Sequence, residues 1–551
     1  MPAFLGRSIT IDRITIGSLV LCVAIQSALA QTGLNTLNAP NAFNAPTNPS
    51  TLNLPTLGDP ASQVLSLQQE ADIGLSIWQS LWRDDELLED PWLMAYVDQI
   101  GQKLASVAAI ANTGADKQAI KTQRIANVVD DASLRFFWIA QPAINAFALP
   151  GGYIGVHTGL LANTQTESEF ASVLSHEIAH VTQRHIARML ARQQQFTPLA
   201  IASVLLAIIV ASKNPSAAAG IATAGSGINA QGYLNFSRDA EREADRLGLQ
   251  LLQDSGFSAQ GMPDFFGRLI SATRLYENNA PAYLRTHPLT SERMADMLGR
   301  VQQLRYRQHV SSITFLLAKQ RAMLQGKTNA QLNDEGLKAS QFIQPSQSSS
   351  RTSTDWRERL TAYYRLALIA ERREQWSEAE QYFNRAQQTL QSSADKQTPA
   401  IRHVWLDANA ALMVVKQNNP ARTPEALATL RQLAQQNPDQ AVLTWVLVEA
   451  LHEQGQFMQV VQLLTQNPSV AQFSLRYYQR LASSYFGLGQ IAQQHWMLVN
   501  YYETLGLPSL ALEQIRLSRQ SVQGNDQFAL LSQLDSKESE LKAQIIKLKR
   551  P

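Results

Sequence analysis

Five consecutive residues, His176-Glu177-Ile178-Ala179-His180, constrain this chain more than anything else in it. They spell H-E-x-x-H inside a stretch whose apolar residues Phe170, Val173, Leu174, Ile178 and Val181 recur at helical spacing. Residues i and i+4 share a helix face. Both imidazoles therefore reach one metal ion, and Glu177 lies beside them, placed to take a proton from an attacking water. The pattern implies a zinc hydrolase whose motif helix is buried on one side. Two packed histidines on an ordinary helix are the bland alternative. The absence of charge at Ile178 and Ala179, and a third ligand candidate downstream, speak against it.

Metzincins need a Gly and a third His soon after the second one. Here Gln183 stands where that Gly would be, and His185 falls one residue short of the His position. The alternative third ligand is a Glu on a later helix, and Ser237-Arg238-Asp239-Ala240-Glu241-Arg242-Glu243-Ala244-Asp245-Arg246 supplies one. Glu241 and Asp245 are again i and i+4. Glu241 can bind zinc while Asp245 accepts an N–H from a ligating His, which fixes that ring's tautomer. On sequence alone Glu243 competes with Glu241, and the whole stretch also reads as a solvated helix laced with ion pairs.

Taken together, His-Glu-Ile-Ala-His-Val-Thr-Gln-Arg-His and the later Glu-Arg-Glu-Ala-Asp-Arg resemble the peptidase family of HtpX and the CaaX prenyl-protein proteases. The resemblance assigns the ligand to Glu241 and the supporting role to Asp245. Asn145 to Val156 and Thr286-His287-Pro288-Leu289 are also similar to the soluble periplasmic branch of that family. The similarity covers most of the chain from about Leu65 onward. It implies a zincin-type protease domain, mainly α with a small β-sheet, followed by a tetratricopeptide-repeat solenoid. It further implies that Asn145, Ala146, Phe147 and Ala148 form a strand edge that pairs with substrate. His287 would occupy the fourth position on zinc and hold the enzyme off. Arg293 would help stabilise the transition state.

The chain has 551 residues, enough for two or three domains, and a net charge of +2, so nothing steers it to nucleic acid. Arg7 and Arg13, the apolar run Ile14 to Ile25 and Ala28-Leu29-Ala30 read as a signal peptide over residues 1–30. The only cysteine, Cys22, lies inside it, so a mature chain starting near Gln31 has only His and carboxylate side chains for zinc. Residues 31–62, rich in Asn, Pro, Thr and Ser, read as a disordered linker. The protease domain is expected over 63–335, beginning with a helical pattern from Gln63 to about Ala109. β-rich alternation follows from Leu134 to Val156, with a turn at Pro150-Gly151-Gly152, and a helix near Met262 to Leu275.

Between the zinc motifs, Leu199 to Ala211 is apolar but shorter than the ~20 residues that span a bilayer. With the small residues that follow, 199–228 reads as a hairpin over the cleft that touches a membrane face, or as a buried core helix. Residues 336–354 read as a linker. From 355 to 548 the chain is helical with a period near 34, and Ala379, Phe383 and Ala386 match second-helix positions of a tetratricopeptide repeat.

One zinc per chain, a general base and a repeat domain describe a periplasmic endopeptidase. Its substrates would be unfolded or misassembled envelope proteins, and its repeats would dock to outer-membrane assembly machinery. The competing reading is a chaperone or adaptor that works through the repeats, with a regulatory or idle metal site.

Overall fold

The computed structural model describes residues 65–113, 134–191, 238–275, 281–343, 355–393, 402–467, 470–471, 474–522 and 528–549. The expected signal peptide, the linker at 31–62 and the apolar stretch at 199–228 lie outside these residues. The described chain is mostly helical with one small sheet, as the periodicity predicts.

Helix α1 (Leu67–Arg83) starts on a capping box between Ser66 and Gln69, which satisfies two backbone donors at once. The long helical pattern then breaks. Leu87–Leu88 is a short strand, β1, and α2 (Pro91–Thr113) begins only after Asp90, whose carboxylate caps the amides of Trp92 and Leu93. The break follows from pairing that the local pattern does not reveal: Leu87 and Leu88 sit opposite Ile139 and Trp138 of β2 (Arg135–Ile139). The sheet is completed by β3 (Ala146–Ala148) and β4 (Tyr153–His157), in the order β1-β2-β4-β3. β2 and β4 are parallel, and β3 and β4 antiparallel around the expected turn at Pro150–Gly152. β3 is therefore an edge strand.

Helices α3 (Thr158–Asn163) and α4 (Glu167–Thr182) follow, and α4 carries the H-E-x-x-H motif. Every residue of α4 from Glu167 to His180 is buried, so the motif helix is enclosed on all sides rather than on one. The reason is its packing against α2, the sheet, α6 (Arg238–Asp254) and α7 (Gly261–Leu275). Phe170 on α4 stacks between Tyr96 of α2 (centroids 5.6 Å apart) and Trp138 of β2 (6.1 Å). Trp138 Nε1 in turn donates to Leu93 O at 2.8 Å. This aromatic column fixes the motif helix against the sheet. The remaining helices before the repeats are α5 (His185–Ala191), α8 (Ala282–Thr286), α9 (Ser291–Gln303), α10 (Ile313–Leu324) and α11 (Asn329–Ile343). Helix α11 runs through 336–343, so helix occupies the first part of the expected linker.

Helices α12 (Trp356–Arg372), α13 (Trp376–Ser392), α14 (Val404–Lys416), α15 (Thr423–Gln436) and α16 (Ala441–Glu453) continue the chain. They are followed by α17 (Phe457–Gln466), α18 (Ser474–Gly487), α19 (Ile491–Thr504), α20 (Pro508–Gln520) and α21 (Phe528–Lys549). Among the described residues these make five pairs. The first helices of the last four pairs start 37, 33 and 34 residues apart. Ala379, Phe383 and Ala386 are fully buried on the second helix of the first pair. The array packs back onto the preceding domain. Trp405 of α14 meets Trp92 of α2 at 4.8 Å, and the buried Arg321 of α10 donates to Asp90, to Tyr364 of α12 and to Asn409 of α14. Farther along, Arg83 of α1 donates to Leu505 O at 2.9 Å, just past α19. One contiguous apolar core runs from α2 to α18.

Removing the centre of the aromatic column should be costly, because a buried Phe→Ala change leaves a cavity that the enclosed helix cannot close. Phe170→Ala should lose about 3–5 kcal/mol of stability, read as a lower urea midpoint in a protein that still folds.

Candidate metal centre

Two helices bring the site together. α4 presents His176, Glu177 and His180. α6 crosses it with a buried stripe made of Glu241, Ala244, Asp245, Gly248 and Leu252. Its outer face carries Arg242 and Arg246, paired with Glu292 and Asp296 of α9. The stretch that also read as a solvated helix is thus solvated on one face only. The close crossing requires Gly248, where an added Cβ would stand 3.1 Å from the His176 backbone nitrogen. A third segment, between α8 and α9, supplies His287.

The four groups His176, His180, Glu241 and His287 converge, with one ligand atom from each lying within 4.8 Å of all the others. His176 Nε2 lies 3.0 Å from His180 Nε2, 3.4 Å from His287 Nδ1 and 3.5 Å from Glu241 Oε2. Glu241 Oε1 lies 3.5 Å from His180 Nε2 and 3.1 Å from His287 Nδ1. Tetrahedral zinc with bonds near 2.0–2.1 Å sets its ligand atoms about 3.3 Å apart. The cluster has those edges, and His287 Nδ1 stands at the fourth corner.

The charges fit as well. Glu177, Glu241 and Asp245 are all buried, and Arg293 is the buried guanidinium among them. That leaves an excess of two negative charges, which a divalent cation neutralises. Without a cation, protons on the rings take its place. Burial pulls His176 down, yet its hydrogen bonds to Asp245 and Glu241 outweigh this and raise it to about 9. Burial also favours a neutral Glu241, but His287 and His176 hold its carboxyl well below the usual range. His180, with fewer acceptors, is driven well below its ordinary value by burial.

Each ligand has a supporting partner. Asp245 Oδ1 sits 3.1 Å from His176 Nδ1, as the spacing suggested. Arg293 braces both carboxylates of α6. Its Nε and Nη2 each donate to Asp245 at 2.7 Å, Nη1 lies 2.9 Å from Glu241 Oε2, and Nη1 also donates to Pro288 O at 2.7 Å. Arg293 is therefore placed to hold the carboxylates and the His287 segment. Glu243, the rival ligand, points the other way. It sits two residues from Glu241 on the helix, and its Oε2 meets His185 Nε2 at 3.3 Å and Arg188 Nη1 at 3.0 Å.

Glu177 is fully buried, and no group among the described residues closes a well-formed hydrogen bond onto its side chain. His287 Nε2 lies 3.5 Å from Oε1, and the backbone of Ala148 faces the carboxylate. Burial pushes this carboxyl above its usual range, which suits a group that must accept a proton. Of the four residues expected to line the substrate edge, Asn145 and Ala146 are buried and Phe147 and Ala148 half-buried. Ala146, Phe147 and Ala148 belong to edge strand β3, and Asn145 precedes it with its carbonyl taken by His157 N at 3.0 Å. Two participants escaped the sequence reading. Tyr283 stacks on His287 at 4.7 Å, and His185 touches His180. A His soon after the motif was visible, but nothing local said where its ring would point.

The fold and this centre define a metalloprotease domain. Residues 93–301 match Peptidase family M48. The chain is similar to the β-barrel assembly-enhancing protease of Escherichia coli (strain K12), at 37% identity over 270 residues, 49% of this chain and 51% of that protein. It is also similar to the mitochondrial metalloendopeptidase OMA1 of Arabidopsis thaliana, at 28% over 211 residues, covering 38% of this chain and 36% of the relative. A third relative is the metalloprotease YcaL of Escherichia coli (strain K12), at 31% over 164 residues, 29% of this chain and 58% of that protein. The chain spans about half the length of the first of these. Among the described residues no helix is long and apolar enough to cross a membrane.

Removing Glu241 takes away the one carboxylate that the described residues place at the cluster's corners. Glu241→Ala should lose its bound metal on dialysis while wild type keeps one ion per chain, as metal analysis by mass spectrometry would read.

Proposed function

We propose that the protein is a zinc-dependent endopeptidase of the periplasm that degrades misfolded or misassembled outer-membrane proteins and also assists their assembly. The observation that carries the reading is Glu177, a buried carboxylate without a well-formed hydrogen bond, set against the His176, His180 and Glu241 cluster. A binding protein has no use for that group. The outer-membrane role rests on the similarity to a protein named for β-barrel assembly. Periplasmic placement rests on the signal-like N-terminus.

Zinc in this cluster would act as a Lewis acid toward the scissile carbonyl and toward water. Glu177 takes the proton from the attacking water and passes it to the departing amine. Asp245 and Arg293 hold His176 and Glu241 in register while the charge at the centre changes. The substrate lies along the open edge of β3 in extended form, read through its backbone, with Phe147 and Ala148 alongside. This favours unfolded segments and makes little demand on side chains. The repeat array, which presents further helix pairs beyond those packed on α2, docks the enzyme to outer-membrane assembly machinery.

His287 gates the site. Its ring fills the fourth corner of the cluster. Its segment is held by Arg293 through Pro288 O, and by Tyr283 N, which donates to Ile144 O at 3.1 Å beside the start of β3. One movement of this segment would free both the fourth corner and the substrate edge.

Two outcomes test the reading. Glu177→Gln should keep its zinc and lose casein cleavage by 100-fold or more, in keeping with the ~10²–10⁴ contributed by a general base; cleavage at the wild-type rate refutes the assignment. His287→Ala should cleave casein several-fold faster than wild type. An unchanged or slower rate means that His287 is not a plug.

A further inference from the structure

The two ligand histidines of α4 have different partners on their outer nitrogens. His176 has Asp245, while His180 has the ring of His185, Nδ1 to Nδ1 at 2.8 Å, with ring centroids 4.8 Å apart and planes at 76°. We infer that His185, held by Glu243 and Arg188, is a positioning residue that sets the tautomer and ring angle of His180 for metal binding. The inference rests on the reading of His176, His180 and Glu241 as metal ligands.

The backbone is shaped to make this contact. In an unbroken helix residue i+5 lies about 140° around from residue i, so His185 could not face His180. The helix is broken instead. α4 ends at Thr182, Gln183 caps it, and Arg184 takes a left-handed conformation (φ 50°) before α5 restarts at His185. A non-glycine residue there costs on the order of 1 kcal/mol. Its side chain is anchored from α1: Nε donates to Glu70 Oε1 at 2.8 Å, and Nη2 donates to Leu65 O at 2.7 Å. That anchored turn swings the His185 ring back onto His180, where it is buried.

Hydrogen-bond logic then assigns every proton. A His180 that offers Nε2 to a metal carries its proton on Nδ1. The 2.8 Å contact needs one donor and one acceptor, so His185 Nδ1 accepts. The His185 proton is then on Nε2, which faces Glu243 Oε2 at 3.3 Å. Arg188 Nη1 donates to the same oxygen at 3.0 Å, which fixes that carboxylate. The opposite proton order would put hydrogen on His180 Nε2 and block ligation. His185 thus does for His180 what Asp245 does for His176, but as a neutral group, with its charged partner one ring farther out at the surface.

The experiment is a chelator-competition titration of zinc on the full chain, with the visible spectrum of the Co(II)-substituted protein and the melting temperature of the metal-free protein recorded alongside. His185→Phe keeps the ring bulk and removes the acceptor. It should weaken zinc binding by about 10–100-fold and alter the Co(II) bands, with the metal-free melting temperature unchanged. His185→Asn, which restores an acceptor near Nδ1, should recover part of that loss, and Glu243→Gln should weaken binding by a smaller factor. Zinc affinity of His185→Phe within twofold of wild type, with an unaltered Co(II) spectrum, overturns the inference. Should His185→Phe fail to fold, unchanged affinity in both His185→Asn and Glu243→Gln overturns it equally. Wild-type protein that binds no zinc would refute the metal-site reading itself, and the inference with it; tight wild-type binding matched by His185→Phe refutes the inference alone.

Discussion

Three carboxylates and one guanidinium buried together govern this structure. Glu177, Glu241 and Asp245 are all but sealed from solvent, and Arg293 among them answers one charge. Burying unpaired charge is expensive, and either a divalent cation or protons on the ligand rings must offset it. The rest of the protease domain meets that demand. The aromatic column of Tyr96, Phe170 and Trp138 keeps α4 rigid, and Gly248 lets α6 approach closely enough for Glu241 and Asp245 to reach the imidazoles. A metal centre on fixed helices loses little on ordering when its ion arrives.

The same charges restrain the one segment of the site that is not a long helix. Arg293 bridges Asp245, Glu241 and the Pro288 carbonyl, so the loop bearing His287 is tied to the carboxylates that support the metal ligands. Tyr283 stacks on His287 and ties the other end of the loop to the chain entering β3. The cluster of candidate ligands, the His287 loop and the chain entering β3 are therefore one mechanical unit.

The helical array is bound into that unit rather than hung from it. Arg321 joins the start of α2 to α12 and α14, and Arg83 reaches the end of α19. α2 also backs the motif helix. A load on the repeats is thus passed to the element against which the site is built, a coupling that a linker between independent domains would not provide.

Much of the site was legible in the chain itself. H-E-x-x-H on a helical period, and Glu241 with Asp245 one turn apart, are local spacings, and helix geometry converts such spacings directly into shared faces. The helical repeats and the turn before β4 were legible for the same reason. What local pattern could not decide was anything requiring two distant segments at once. The choice of Glu241 over Glu243 needed the crossing of α6 on α4. The orientation of Arg293 needed two carboxylates from another helix. β1 needed β2 to pair with, so Leu87 and Leu88 looked helical. The full enclosure of α4 and the contact of His185 with His180 depended on α1 and α2 packing from outside. Sequence determined which side chains could do the chemistry, because periodicity is written residue by residue; tertiary structure decided which of them meet, because burial and charge balance are properties of the assembled core.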